Sequence, residues 1–437
     1  MSSLGFSRVD PARRRLLAAA GALVAAGCAP AMPKASARAR PRVVVVGGGY
    51  GGATAARYLA NWGHGGVDVT LVEKKPAFVS SPLSSLVVAG TLAMADITVG
   101  YDALRRSGVT IVQDVATAID SDRRRVRLTH GRELAYDRVI LSPGIEFLYG
   151  RIAGLDSPEA RRVFVSAWRA GEETVTLRRQ LDSMRNGGVF AISIAPAPIR
   201  CPPAPYARAC LVASYLKRAK PRSKLLVLDG NSDLQSEKAL FTRAWQDDYR
   251  GIVEYRPDCV LTGVDPATRT AHFEVADDVS ADVLNVIAPH GAGTIAHQAG
   301  VVTANGQWCE VKFENFESIR VPGVHVLGDS IQTAPVMPKS GHMANQHGKA
   351  VAFALLNEFA GYVYEPLPVL TSTCYSFVDE HRAGHVSSVH RYDAAQRTYL
   401  PVPGAGGVAP AATDEEGRYG IAWAHMIWRD MLGASTT

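Results

Sequence analysis

Two groups of residues in this 437-residue chain have the types and spacing for chemistry. The first is the run Gly47-Gly48-Gly49-Tyr50-Gly51-Gly52, followed at a distance by Glu73. Gly47, Gly49 and Gly52 form a G-x-G-x-x-G pattern, and Glu73 stands 21 residues beyond the last of them. Glycine at these positions permits a tight turn and lets backbone N–H groups approach a diphosphate, whose charge a helix N-terminus then favours. An acid at that distance suits a ribose hydroxyl, so the pattern points to a bound dinucleotide. The second group is the cysteines: Cys28, Cys201, Cys210, Cys259, Cys309 and Cys374. No C-x-x-C or C-x-x-C-H occurs, so the chain encodes neither a zinc ribbon nor a covalent haem, and no metal site is expected.

The elements that must position these residues follow from the hydrophobic pattern. Residues 42–46 are a short apolar run that predicts a strand buried on both faces. Residues 53–60 read as a helix, and 67–72 as a second strand ending at Glu73, which is the context the glycine pattern requires. Residues 138–144 predict another buried strand, closing on a turn at Gly144. A new α/β unit begins at 187–195, with a later strand at 225–228. The run 283–288 is expected to lead the chain back to the first domain, where 323–329 forms a short strand ending in Gly328-Asp329. A small-residue helix follows Met337-Pro338-Lys339-Ser340-Gly341. From about Pro366 the sequence reads as irregular and aromatic (Tyr375, Phe377, Trp423, Trp428), an interface-forming tail.

The expected fold is therefore α/β, with two Rossmann-like dinucleotide-binding-type domains and a C-terminal interface domain. The expected divisions are 1–40, a leader; 41–155 and 283–365, the two parts of a discontinuous first domain; 156–282, the second; and 366–437.

Composition narrows the function classes. Apolar residues make up 47% and charged residues 20%, which excludes disordered and collagen-like chains. Residues 1–40 hold seven Lys/Arg and one acid, so the formal charge of +6 resides there and the rest sums to zero. Nucleic acid is thus not an expected partner, because its footprint needs basic charge on the folded body. Arg13-Arg14-Arg15-Leu16-Leu17 opens an apolar stretch to Ala26, and small residues follow at Ala35-Ser36-Ala37. That layout matches a twin-arginine export signal, and the stretch falls short of the ~20 apolar residues that span a bilayer. A periplasmic location is expected, with lipid attachment at Cys28 the lesser alternative. Removing the leader leaves five cysteines, an odd number, in a compartment where disulfides persist.

The glycine pattern, the Pro143-Gly144 turn and Gly328-Asp329 resemble the two-dinucleotide-domain flavoproteins related to glutathione reductase. The resemblance implies FAD, its diphosphate at Gly47, Gly49 and Gly52 and its ribityl chain at Asp329, with Gly144 and Gly328 beside it. Within that superfamily three segments resemble the flavoprotein subunit of flavocytochrome c sulfide dehydrogenase. They are Arg200-Cys201-Pro202-Pro203-Ala204-Pro205-Tyr206, Met337-Pro338-Lys339-Ser340-Gly341 and Thr373-Cys374-Tyr375-Ser376. This resemblance implies a redox disulfide of Cys201 and Cys374, attacked by HS⁻, and a Lys339 that stabilises charge on reduced flavin. It also implies electron delivery to a separate c-type cytochrome subunit that carries the haem. The residues alone leave the pairing open, since five cysteines allow ten single bridges, Cys201 with Cys210 among them.

Three further readings concern electron entry and the substrate. Pro196, Pro198, Pro202, Pro203 and Pro205 fill the loop where NAD(P)H-oxidising relatives place a second glycine pattern, so no nicotinamide site is expected. Residues 78–83 lack the cysteine through which family members can attach the cofactor, so FAD should be non-covalent. Ala207 stands where the family carries a glutamate beside the disulfide, which favours another sulfur substrate, such as a thiol or persulfide. A sulfide:quinone oxidoreductase and a non-catalytic flavin-binding accessory subunit remain the alternatives. Replacing Arg13 and Arg14 by Lys is expected to leave the folded, flavin-loaded protein in the cytoplasm, as fractionation of the two compartments will show.

Overall fold

The computed structural model describes residues 39–363 and 365–433, so Arg13, Arg14 and Cys28 lie outside the described residues. Strand β1 (Arg42–Val46) holds four successive valines, all 7% exposed or less, as befits a strand covered on both faces. Helix α1 (Tyr50–Trp62) follows after the glycine turn, and β2 (Asp68–Glu73) returns beside β1. Strands β3 (Thr110–Gln113) and β4 (Arg138–Leu141) extend the sheet on its two sides. The pairing is parallel, with Val46 opposite both Val72 and Leu141. The carboxyl ends of these strands therefore open at one edge, where ligands of doubly wound sheets bind.

A second sheet is built from β5 (Val189–Ile194), β6 (Lys224–Asp229), β7 (Val253–Arg256) and β8 (Val283–Ile287) in the order β7-β6-β5-β8. Helix α2 (Ala204–Ala219) leaves the proline-rich loop after β5, and α3 (Lys238–Asp247) follows β6. Here one expectation is corrected. The run at 283–287 does not rejoin the first domain; it pairs in parallel with β5, Phe190 opposite Val283. An apolar run buried at every position signals a sheet interior but carries no mark of which sheet. The return comes just after it, where His290–Ala292 pairs antiparallel with Ile145–Phe147. Strand β9 (Val324–Val326) then joins the first sheet beside β4, so that sheet does take strands from two separated stretches.

Helix α4 (Gly341–Ala360) starts at Ser340, whose Oγ accepts the Met343 N–H at 3.1 Å. Its small residues allow a close crossing with α1: a Cβ on Gly348 would run into the backbone of Gly51 and Ala55. The C-terminal segment is a second correction, because it is regular. Strands β10 (Val369–Phe377), β11 (Ala383–Asp393) and β12 (Thr398–Val408) form an antiparallel sheet, and α5 (Asp414–Leu432) closes it. Thr413 caps α5 by accepting from Glu416 N–H at 3.1 Å, and three acids occupy the positive end of its dipole. Phe377 and Trp428 pack inward, while Tyr375 and Trp423 are partly exposed. Trp428 is 2% exposed and donates from Nε1 to Tyr50 Oη at 3.2 Å, while Trp423 packs on Tyr375. Trp428→Ala should cost about 3–5 kcal/mol, measurable by chemical denaturation.

Candidate functional site

At the open edge of the first sheet lies a cavity of about 590 Å³, within the usual range for a cofactor site. Gly47 has φ +102°, and a Cβ there would strike the carbonyl of Ser142. A Cβ on Gly52 would strike the Gly47 carbonyl, so Gly52 sets how closely α1 packs against the turn. Gly49 has open space around it and lines the cavity, so the missing side chain leaves room for a ligand. Glu73 Oε2 accepts from Gly48 N–H at 2.6 Å and Oε1 from Lys75 N–H at 2.9 Å, which fixes the carboxylate at the cavity wall. Gly144 (φ +67°) and Gly328 (φ +74°) shape the opposite wall. Asp329 lines the cavity, burial pushes its carboxyl up, and its buried Oδ1 has no partner. An orphaned acceptor facing a cavity is suited to a polyol hydroxyl. Together the open cradle at Gly49, the fixed Glu73 and the unpaired Asp329 fit FAD.

Lys339 takes a different place from the one expected. Its Nζ donates to the carbonyls of Asp329 at 3.0 Å and Ile331 at 2.5 Å, and lies 3.6 Å from the centre of the Trp308 ring. Burial lowers its pKa to about 8, and it braces the Gly328-Asp329 turn from behind without lining the cavity. The cavity wall instead carries the partly buried Arg200 and the fully buried Arg208. Arg200 donates to the Trp168 carbonyl. Arg208 is held by Ser85 Oγ, the carbonyls of Ser166 and Ala167, and Asn285 Oδ1, all within 3.2 Å. Burial first, then Arg200, bring the Arg208 pKa down to about 9. In the sequence Arg208 shows only as the arginine that follows Tyr206-Ala207, because its burial depends on three other segments.

Cys201 and Cys374 meet at the inner end of this cavity. Cys201 lies just before α2 in the left-handed region (φ +55°), with its N–H bonded to Lys339 O at 2.8 Å. Cys374 is in β10, and both are thiols in this structure. The Cys374 thiol donates toward Cys201 and holds it below the usual thiol range; burial opposes this and Arg200 supports it. Cys374, as the donor, is held well above its ordinary value, with burial adding to the effect. Cys210 faces Trp245 instead, and burial pushes its thiol up. Cys259 and Cys309 are buried and likewise raised, Cys309 to about 12.

A second, smaller cavity of about 80 Å³ adjoins the first, sharing Ser81, Pro82, Ser85, Cys201, Ala204 and Gly341 with it. Cys201 lines both cavities, Cys374 only the second. A cofactor-sized space and a space for a small molecule thus adjoin along a shared wall that contains Cys201. Ser81 and Pro82 line the large cavity where a cysteine could have attached the cofactor. Acid precipitation should therefore release the flavin into the supernatant, while yellow colour kept by the pellet would reveal attachment elsewhere.

Comparison with known proteins places the chain in a family. Three family models match: "Pyridine nucleotide-disulphide oxidoreductase" over residues 41–183, "Sulfide dehydrogenase [flavocytochrome c] flavoprotein chain, central" over 174–288, and "Flavocytochrome c sulphide dehydrogenase, flavin-binding" over 366–432. The flavoprotein chain of sulfide dehydrogenase [flavocytochrome c] from Chlorobaculum thiosulfatiphilum is 56% identical over 46 residues, 94% of that sequence and 10% of this chain. A mitochondrial sulfide:quinone oxidoreductase of Dictyostelium discoideum is 22% identical over 83% of this chain and 82% of its own. The sulfide:quinone oxidoreductase structure from Aquifex aeolicus shares the fold, with a TM-score of 0.75, 17% identity and coverage of 90% of this chain and 92% of that one. The chain belongs to the flavocytochrome c sulfide dehydrogenase flavoprotein family, sulfide-oxidising FAD oxidoreductases built on the pyridine nucleotide-disulfide oxidoreductase fold.

Proposed function

We propose that this chain is an exported flavoprotein that oxidises sulfide through a Cys201–Cys374 disulfide and delivers electrons to a c-type cytochrome subunit. The observation that carries the reading is the placement of Cys201 in the wall of both cavities, with Cys374 in the wall of the smaller one. In the oxidised pair, a sulfur nucleophile in the small cavity reaches Cys374, the sulfur exposed only on that side. A bond forms from substrate sulfur to Cys374 as the Cys201–Cys374 bond breaks, and the electron pair stays on Cys201. Arg200 and the start of α2 favour that thiolate, in line with the lowered pKa of Cys201. FAD, when bound, supplies a two-electron acceptor that can release electrons singly, as a haem partner requires. Glu73, Asp329 and the glycine turn would hold it without covalent attachment.

The cytochrome acceptor is favoured over a quinone by the C-terminal helix. In α5, Ala424, Ile427, Trp428, Met431 and Leu432 turn toward the body, and of its large apolar side chains only Tyr419 and Met426 are exposed, a small area for a membrane-apposed quinone site. Among the described residues no helix is long and apolar enough to cross a membrane. The proline loop before α2 offers few N–H groups to a second dinucleotide. Export rests on the arginine pair and apolar run of the leader.

Cys201→Ser and Cys374→Ser should each keep FAD bound and abolish bleaching of the flavin by sulfide under anaerobic conditions, with Cys210→Ser as an unaffected control. A purely structural bridge predicts a loss of about 2–5 kcal/mol of stability with activity per folded molecule retained. NADH should fail to bleach the wild-type flavin. Added cytochrome c should reoxidise the bleached flavin faster than a soluble quinone; the reverse order would select the quinone reading.

A further inference from the structure

The small cavity raises a question of proton balance. Neither lysine nor arginine is among its lining residues, and burial holds its one histidine, His342, below its ordinary pKa. His342 Nδ1 is already used, accepting Thr373 N–H at 3.0 Å. Leu83, Leu86, Leu211 and Phe377 make up much of the remaining wall. An anion entering this space would lose its hydration with no cation in the wall to compensate. The sulfur donor therefore arrives uncharged, as H2S or a thiol, and must lose a proton inside before it attacks. Ala207 lines the cavity but has no atom that accepts a proton.

Glu237 is the carboxyl group that reaches this wall. It is 6% exposed and sits immediately before α3 with φ +49°, yet its side chain makes no capping bond to that helix. Among the described residues no cation pairs with it: Lys238 binds Asp233 at 2.6 Å, and His385 Nδ1 binds Glu416 Oε2 at 2.8 Å. Ser376 Oγ donates to Glu237 Oε2, while Oε1 is buried without a partner. Ser376 lies two residues from Cys374 in β10, on the same face of the strand, and both line the cavity. The titratable groups facing Glu237 are Cys374 from β10, Cys201 from the proline loop and His385 from β11. A buried carboxyl in left-handed backbone, with one oxygen unbonded, costs stability and supports neither a helix cap nor an ion pair.

We propose that Glu237, acting through the Ser376 hydroxyl, takes a proton from the neutral sulfur substrate before that sulfur attacks the cysteine pair. The inference rests on the disulfide reading given above. For H2S, one hydrogen passes to Ser376 Oγ as the Ser376 proton passes to Glu237 Oε2. The sulfur left as HS⁻ bonds to Cys374, and the Cys201–Cys374 bond breaks with its electron pair on Cys201. The products are a Cys374 persulfide that keeps the second hydrogen, a Cys201 thiolate and a neutral Glu237. Charge is conserved, because the carboxylate's negative charge has moved to Cys201. Burial pushes the Glu237 pKa up to about 7, so the carboxyl can take and return a proton near neutral pH.

The test is anaerobic stopped-flow bleaching of the FAD-loaded full chain by sulfide, from about pH 6 to pH 9, in wild type, Glu237→Gln, Ser376→Ala and Cys374→Ser. Above about pH 7, Glu237→Gln should bleach on the order of 10²-fold more slowly than wild type. The ratio of the two rates should fall about tenfold per unit below that pH, and taking a ratio cancels the ionisation of sulfide itself. Ser376→Ala should show the same loss and the same ratio profile with Glu237 still present, and it decides the matter if Glu237→Gln fails to retain flavin. A ratio that does not vary with pH, or variants as fast as wild type, would overturn the proposal. Cys374→Ser separates the two readings. If it is inert while Glu237→Gln and Ser376→Ala keep the wild-type profile, only the role of Glu237 falls. If Cys374→Ser bleaches normally, the disulfide reading fails and takes this one with it.

Discussion

The contact between Cys201 and Cys374 is the constraint on which the rest of the structure depends. One sulfur belongs to the loop that opens α2 in the second domain, the other to the sheet that follows the first. A disulfide tolerates only a narrow range of sulfur positions, so loop and strand must both be fixed to well under an ångström or two. Cys201 is held in an unfavourable backbone conformation by its N–H bond to Lys339 O, at the lead-in to α4. Ser340, in the same lead-in, bonds Ser372 across to β10 at 2.8 Å. The stretch 339–340 therefore ties both sulfurs to one point, and Lys339 itself is pinned by the Asp329 and Ile331 carbonyls. Strain of this kind persists only where surrounding contacts outweigh it.

Burial of charge is the cost of such an arrangement, and each charge is handled differently. Arg208 donates to neutral acceptors only, so carbonyl, hydroxyl and amide oxygens replace its water, with the Glu173 carboxylate acting on it without a direct bond. Lys339 is satisfied by two carbonyls and an indole face. Arg200 lies near both Asp329 and Cys201, and so joins the cofactor wall to the thiol pair electrostatically. Among the described residues, Asp329 and Glu237 are the acids with a buried, unbonded oxygen, the first in the large cavity's wall and the second bonded to Ser376 in the small one's. That asymmetry divides the site into a cation-bearing flavin side and a nearly neutral substrate side.

A good part of this was legible in the chain itself. The four buried valines of β1, the glycine turn and Glu73 are local features, since a strand, a tight turn and a helix start are set by neighbouring residues. The α/β class with two parallel sheets followed from the same runs, as did the second stretch that rejoins the first sheet. The proline loop with its cysteine was equally plain. What failed was assignment over distance. Residues 283–287 carried the right strand signal but no address, and the C-terminal strands hid behind polar and glycine-rich alternation that resembles irregular chain.

By itself, the sequence determined the elements that short-range sterics control, the dinucleotide turn, and the resemblance that nominated Cys201 and Cys374. It could not choose among the possible cysteine pairs, because pairing depends on which strands are brought together after crossings of more than a hundred residues. Only the tertiary structure turned Cys210 toward Trp245, withdrew Lys339 from the cofactor wall, and placed Arg200 and Arg208 there instead. It alone set Glu237 and Ser376 together, from positions 139 residues apart. The physical reason is that burial and electrostatic environment belong to the packed arrangement of several segments, and no single segment encodes them.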